Sequence, residues 1–259
     1  MPGLRVTAGL VINLSEHYAQ NTRNQGDIPV LEKTARIEFL GYPLHRDAPN
    51  PPAIPPIELI PFLSLEKGDG ANVTLIKAAS HTGTHIDVPS HVAANGLTLS
   101  DFQAEDFIFT HPVVIDLHLN DGQVVQPDDL TRFMPAAREA DLMLCRFGYG
   151  EIRKTDPARY SAKCPGFGVE SAQYLLEQLP NLRALGMDVP SLACIEHLDE
   201  CMPAHNVLLE GDGRRFLVIE DMKLDVELER LAEVIVAPWW IKGLDGGPCM
   251  VFGIFSSEE

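Results

Sequence analysis

The sequence predicts one α/β domain with a mixed, strand-rich core, and three observations carry that expectation. Short aliphatic and β-branched runs recur along the chain, the pattern of buried or half-buried strands. In the second half, FGVESAQYLLEQL places its apolar residues at helical spacing and is followed by the strand-like LRALGM, a βαβ-like rhythm. The 259 residues, 45% of them hydrophobic, are enough to fill a sizeable core and contain no internal repeat or low-complexity tract.

Taken in order, VTAGLVINL reads as a first strand, residues 15–33 as a polar stretch and ARIEFLGY as a second strand. Seven prolines then fall between Pro43 and Pro61, a density that excludes a helix or a central strand. Residues 43–61 are therefore expected to form a loop or extended arm. A rigid surface connector is the first reading; a subunit-contacting arm or an active-site lid are the alternatives. The piece before this arm is too small to stand as a domain, so residues 1–259 are treated as one. NVTLIKAAS and HPVVIDLHL are strand-like, and Pro127 with two aspartates in QPDDLTRF marks a helix start. ADLMLCRF reads as a buried strand, and Val169, Ala172, Leu175, Leu176 and Leu179 as the inner face of a helix. HNVLLEGDGRRFLVIEDM suggests a helical turn, a Gly-Asp-Gly turn and a strand. LAEVIVAPWW and PCMVFGIF are the closing strands around the turn GLDGG.

Charge and cysteine content exclude several classes. The formal charge of −17, from 37 acidic against 20 basic residues, comes without any Lys/Arg block that could follow a phosphate backbone, so nucleic acid is excluded as a partner. The same field repels strongly anionic ligands unless a metal or local cations reverse it, which favours a neutral or weakly charged small molecule. Five cysteines, Cys145, Cys164, Cys194, Cys201 and Cys249, are odd in number and show neither CxxC nor zinc-finger spacing, so no disulfide framework is expected. No run reaches membrane-spanning length and the start lacks a cleavage pattern, which leads to the expectation of a cytoplasmic protein with no membrane partner.

The chemistry concentrates in HTGTHIDVPSH, residues 81–91. His81 and His85 have the spacing of a helical zinc motif, but Thr82, Gly83 and Thr84 are poor helix material and suit an extended chain. In an extended chain, alternate residues share a face, so His81, Gly83, His85, Asp87 and His91 fall on one side, with Pro89 bending the chain before His91. Imidazoles and a carboxylate suit zinc or manganese, and an ion held there with open positions lowers the pKa of a bound water towards neutrality. His17, His45, His111, His118 and His197 read as surface or hydrogen-bonded residues. Glu220, at the end of the buried-looking FLVIE, is costly to hold charged without a cation. Asp188 and Ser191 in GMDVPS suit either a loop that orients a site or a turn that satisfies its own backbone. Trp239 and Trp240 point to opposite faces of a strand and receive no role.

HTGTHIDVPSH resembles the HxGTHxDxPxH signature of the cyclase-like metal-dependent hydrolase family, which includes kynurenine formamidases and isatin hydrolases, and matches it at every defined position. ADLMLCRFGYG, ALGMDVPS and HNVLLEGDGRRFLVIEDM resemble later segments of the same family, so the resemblance extends over most of the chain. It implies a swivelling β/β/α fold and a homodimer or homotetramer with sites near subunit contacts. It also implies that His81, His85 and Asp87 bind a first divalent metal, zinc or manganese. His91, His205 and Glu220 complete a second site where it is occupied, with Asp87 able to bridge, giving one or two ions per subunit. In single-metal relatives the residue matching His91 resembles a proton shuttle, so His91 is also the candidate catalytic residue.

The expected reaction is metal-assisted hydrolysis of a C–N amide bond in a small aryl formamide or cyclic amide, such as N-formylkynurenine or isatin. The rival reading is a non-catalytic protein that uses the same metal ligands to hold a small carboxylate. A serine or cysteine hydrolase is disfavoured because there is no GxSxG and the thiols lack a recognisable base.

Overall fold

Alternating short strands and helices, as the hydrophobic rhythm requires, organise the computed structural model, which describes residues 36–210 and 214–256. The first predicted strand, the polar stretch and His17 lie outside the described residues. From Arg36 onward the chain forms one compact unit.

The strands are β1 (Arg36–Phe39), β2 (Glu58–Leu63), β3 (Val73–Lys77), β4 (His85–Asp87), β5 (Ile108–Phe109), β6 (Pro112–Asp116) and β7 (Val124–Val125), then β8 (Leu142–Arg146), β9 (Gly166–Phe167), β10 (Ala184–Met187), β11 (Leu217–Glu220), β12 (Leu231–Pro238) and β13 (Gly246–Phe255). The helices are α1 (Pro127–Thr131), α2 (Met134–Ala137), α3 (Gly150–Thr155), α4 (Pro157–Ala162), α5 (Val169–Gln178) and α6 (Leu198–Glu210). Pro127 opens α1 as expected, and the Asp129 carboxylate accepts from the Gln126 N–H at 2.8 Å to cap it.

One nine-stranded sheet runs in the order β5-β12-β13-β4-β11-β10-β8-β6, with β1 paired to β13. Strands β6, β8, β10 and β11 are parallel, and β4 is antiparallel to both β11 and β13. The two ends of the order, β5 and β6, are separated in the chain only by Thr110 and His111, so the sheet curls back on itself into a nearly closed, strand-rich core. This is the mixed α/β class that the sequence predicts.

Period-two alternation divides the side chains between two apolar clusters. On β8, Met143 and Cys145 enter the cluster covered by α5 and α6, while Leu142 and Leu144 enter the one closed by β12 and β13. On β11, Val218 faces the helices and Leu217 and Ile219 the opposite side. Glu220 therefore shares the helix-side face with Val218. On β4, Ile86 joins the opposite cluster, which leaves His85 and Asp87 on the same helix-side face.

The proline-rich segment departs from the expected connector. Its last residues enter β2, which pairs with β3 in a separate two-stranded ribbon, and its earlier residues fold back over the histidine segment. The segment reaches the histidines because Asn50 Oδ1 accepts from the Gly83 N–H at 3.3 Å and Leu44 packs over Gly83. The C-terminal pair β12 and β13 is antiparallel as expected, while HNVLLE lies at the end of a thirteen-residue helix rather than in a single turn.

Candidate metal centre

His81 to Asp87 is not one extended run. Strand β4 begins only at His85, and Gly83 sits at φ +64°, in the left-handed region, where a Cβ would lie 2.3 Å from Leu44 Cδ2. The tight turn at Gly83, rather than strand alternation, brings the His81 ring back over Asp87. Alternation does account for His85 and Asp87, and cross-strand pairing for the next donor, because Glu220 on β11 is the register partner of His85. His91 follows on the short helical turn Pro89–His91, and His205 descends from α6.

The other five residues converge on Asp87, which is 1% exposed. Its Oδ1 lies 2.7 Å from His81 Nδ1 and 3.5 Å from His85 Nε2, and its Oδ2 lies 3.9 Å from His205 Nε2. Glu220 faces His85 Nε2 at 3.1 Å and His205 Nε2 at 3.4 Å. The His91 ring stacks 4.1 Å from that of His81. Two sets of donor atoms are close enough to share an ion: His81, Asp87 and His91, and His85, Asp87 and Glu220, with Asp87 common to both. This grouping differs from the family-implied one, which sets His85 with His81. Among the other described histidines, His45, His111, His118 and His197 belong to neither set.

The donor set fits a divalent cation on two independent grounds. Asp87 Oδ2 is buried without a hydrogen-bond partner, and the buried His85 Nε2 faces only carboxylate oxygens, an arrangement that is costly unless a cation sits among them. His85 Nδ1 lies 2.7 Å from the Gly83 carbonyl, which can only accept. The proton is therefore fixed on Nδ1, and in the neutral ring Nε2 presents its lone pair to the carboxylates, as a metal-binding imidazole requires.

The same packing sets the charge state without an ion. Burial opposes a proton on His81, but hydrogen bonds to Asp87 and Asp245 outweigh it and push its pKa up to about 9. Burial is likewise overcome at His85 and His205, which Glu220 and Asp87 raise, while burial lowers His91. Against burial, His205 and His85 hold the Glu220 carboxyl well below the usual carboxylate range. A cation must displace these imidazole protons. Metal affinity is therefore expected to rise with pH up to about 9, the value to which His81 is raised, with release of about one proton or more on binding at neutral pH. Calorimetric titration in buffers of different ionisation enthalpy measures that release; none, with affinity flat over the interval, contradicts the assignment.

Asp245, in the turn GLDGG, was not legible as a site residue. Its Oδ2 lies 2.9 Å from His81 Nε2 and 3.7 Å from His91 Nδ1, so it holds the ring edge of His81 that faces away from Asp87. An aspartate among glycines reads as a turn former, and nothing local distinguishes it. Asp188 does orient a loop, accepting from the N–H groups of Phe147, Gly148 and Tyr149 at 2.7, 2.9 and 3.1 Å. Ser191 lines the cavity above the donors; neither tryptophan does.

That cavity, of about 360 Å³, has the four histidines and Glu220 at one end. Its walls are Pro51 to Ile54 from the proline-rich segment, Pro190 and Ser191 after β10, and Ile195, Leu198 and Met202 at the start of α6. No helix of the described residues is long and apolar enough to cross a membrane.

The fold and this centre define a metal-dependent hydrolase of the cyclase type. The Cyclase family model matches residues 12–193, and the chain belongs to that family. It is 25% identical over 216 residues to a kynurenine formamidase of Bacillus thuringiensis subsp. konkukian (strain 97-27), covering 83% of this chain and 96% of the relative. It is 27% identical over 202 residues to cyclase-like protein 2 of Arabidopsis thaliana, covering 71% and 66%. Its fold is similar to that of isatin hydrolase A from Labrenzia aggregata, at a TM-score of 0.72 and 24% identity, covering 86% of this chain and 94% of the other. It is also similar to that of isatin hydrolase A from Ralstonia solanacearum, at a TM-score of 0.73 and 18% identity, covering 98% and 100%.

Proposed function

We propose that this protein hydrolyses a C–N amide bond of a small aryl formamide or cyclic amide. The observation that carries this reading is the convergence of four imidazoles and the Glu220 carboxylate on buried Asp87, at the end of an otherwise apolar cavity. The activities of the relatives, kynurenine formamidase and isatin hydrolase, support the same reaction class. A divalent ion, zinc or manganese, supplies Lewis acidity and a water of lowered pKa when bound. His81, Asp87 and His91 would hold one ion and His85, Asp87 and Glu220 a second, with His205 beside the second set, for an occupancy of one or two per subunit.

The remaining steps belong to the chain. The apolar walls exclude bulk water and place the carbonyl at the donor end. A water oxygen adds to the carbonyl carbon, the C–N bond breaks, one of the water's protons is passed to the departing nitrogen and the other is released to solvent, leaving a carboxylate and an amine. His91 is the residue for that transfer where it is not a ligand, because it borders the cavity and burial keeps its ring neutral and able to accept.

The test is elemental analysis of protein purified without chelator, paired with initial rates on N-formylkynurenine and isatin. About one or two equivalents of zinc or manganese, with turnover that is lost to chelator and restored by reloading, is the expected result. Full activity after metal removal, or failure to take up stoichiometric metal, refutes the reading.

We further propose a homodimer or homotetramer in a cytoplasmic setting. The ribbon of β2 and β3 exposes Phe62 at 69%, Leu75 at 54% and Ile76 at 48%, and a two-stranded ribbon with apolar residues in water is marginal unless something covers it. A second copy of the chain is the proposed cover. All five cysteines are free and buried, which supports a reducing compartment. In sedimentation velocity the wild type should run as an oligomer and the double variant Phe62→Glu, Leu75→Glu as a smaller species; a monomeric wild type refutes the oligomer.

A further inference from the structure

The walls of the cavity carry a restriction on the substrate that the reaction class alone does not. Beyond the metal donors, the only side chain with a polar group among the described lining residues is Ser191, and no Lys or Arg is present. One wall is built from Pro51, Pro52 and Ile54, fixed by the Ile54 N–H donating to the Pro51 carbonyl at 2.9 Å. The other is a helix stripe. Leu198, Met202 and His205 stand at i, i+4 and i+7 on α6, so the two apolar residues lead along one face to the ligand histidine, with Ile195 just before them. Leu198 and Met202 remain 42% and 38% exposed, which leaves apolar surface beside the donors for an apolar ligand to cover.

From this we infer that the substrate is a neutral, hydrophobic amide without an amino-acid head group, with Ile195, Leu198 and Met202 setting that preference. The inference rests on the amide-hydrolase reading and narrows it. A zwitterionic substrate brings an ammonium and a carboxylate that these walls cannot pair, so a head group drawn in against them gives up part of its hydration without a partner.

A matched pair isolates the head group. N-formylkynurenine and 2′-formamidoacetophenone share the ring, the ketone and the formamide, and only the first carries the amino-acid group. With the metal-loaded enzyme, kcat/KM for the neutral compound should exceed that for N-formylkynurenine by about 100-fold, mostly through KM. Met202→Lys should reduce the ratio by placing a cation in the wall. Calorimetric binding of the corresponding amines, 2′-aminoacetophenone and kynurenine, should show the same order without any turnover. Equal or better use of N-formylkynurenine, or equal or tighter binding of kynurenine, overturns the inference. If neither formamide nor isatin is hydrolysed, the amide-hydrolase reading fails, and the binding order still decides whether the cavity prefers the uncharged compound.

Discussion

Asp87→Ala is expected to abolish metal binding at both donor sets and to lower kcat/KM by at least about 1,000-fold, because no other residue serves both. Its two oxygens face different imidazoles, Oδ1 towards His81 and His85 and Oδ2 towards His205, so one substitution removes the hub of the cluster. Glu220→Gln and His91→Ala each touch one set and should leave metal at the other. Asp245→Ala, which loosens His81 without removing a ligand, should weaken binding by about 10–100-fold, the usual cost of losing an outer carboxylate. Elemental analysis, metal titration and initial rates on the four variants order these outcomes. Asp87→Ala protein that retains stoichiometric metal or wild-type turnover refutes the hub assignment, and circular dichroism separates a lost ligand from a lost fold.

Legibility in the sequence followed the range of the interaction involved. Strand β8 and helix α5 were readable because burial repeats at their own periods, with Leu142 to Cys145 buried throughout and Ala172 and Leu175 on the inner helix face. His85 and Asp87 were readable for the same reason. His81 reaches Asp87 through the turn at Gly83 and not by alternation, and a glycine at positive φ leaves no trace in an alternation pattern. Residues brought in by tertiary packing had no local signal. Asp245 arrives through the β12–β13 connection, and Pro51 to Ile54 reach the cavity through the Asn50 and Leu44 contacts with Gly83. His205 and Glu220 stood between these cases: only the resemblance singled out His205, Glu220 was marked also by the cost of a carboxylate ending a buried strand, and the register of β4 with β11 supplies the physical reason for its place.

Arg153→Ala should cost about 3–5 kcal/mol of stability, the usual effect of stranding a buried charge. Arg153 is 7% exposed and Asp221 1%, and the guanidinium donates to both carboxylate oxygens at 2.7 and 2.8 Å, with the Tyr160 hydroxyl donating to the same carboxylate. The consequence reaches the metal centre through the backbone. Asp221 follows Glu220 directly and is held at φ +52°, a conformation that a non-glycine residue keeps only when its surroundings enforce it. Its carbonyl accepts from Thr84 Oγ1 at 2.6 Å, and Thr84 Oγ1 in turn accepts from the Tyr42 N–H at 2.9 Å, which ties the turn between His81 and His85 to the end of β11. Loss of Arg153 should therefore lower the melting temperature of the metal-free protein by about 10 °C and weaken metal binding in the same variant. The double variant Arg153→Met, Asp221→Asn should recover part of the stability, because no charge then remains buried alone. Arg159→Ala, which opens a surface pair with Asp121, should change little. Differential scanning calorimetry on metal-free samples, followed by metal titration, measures both effects; an unchanged melting temperature for Arg153→Ala would show that the pair does not brace this end of the sheet.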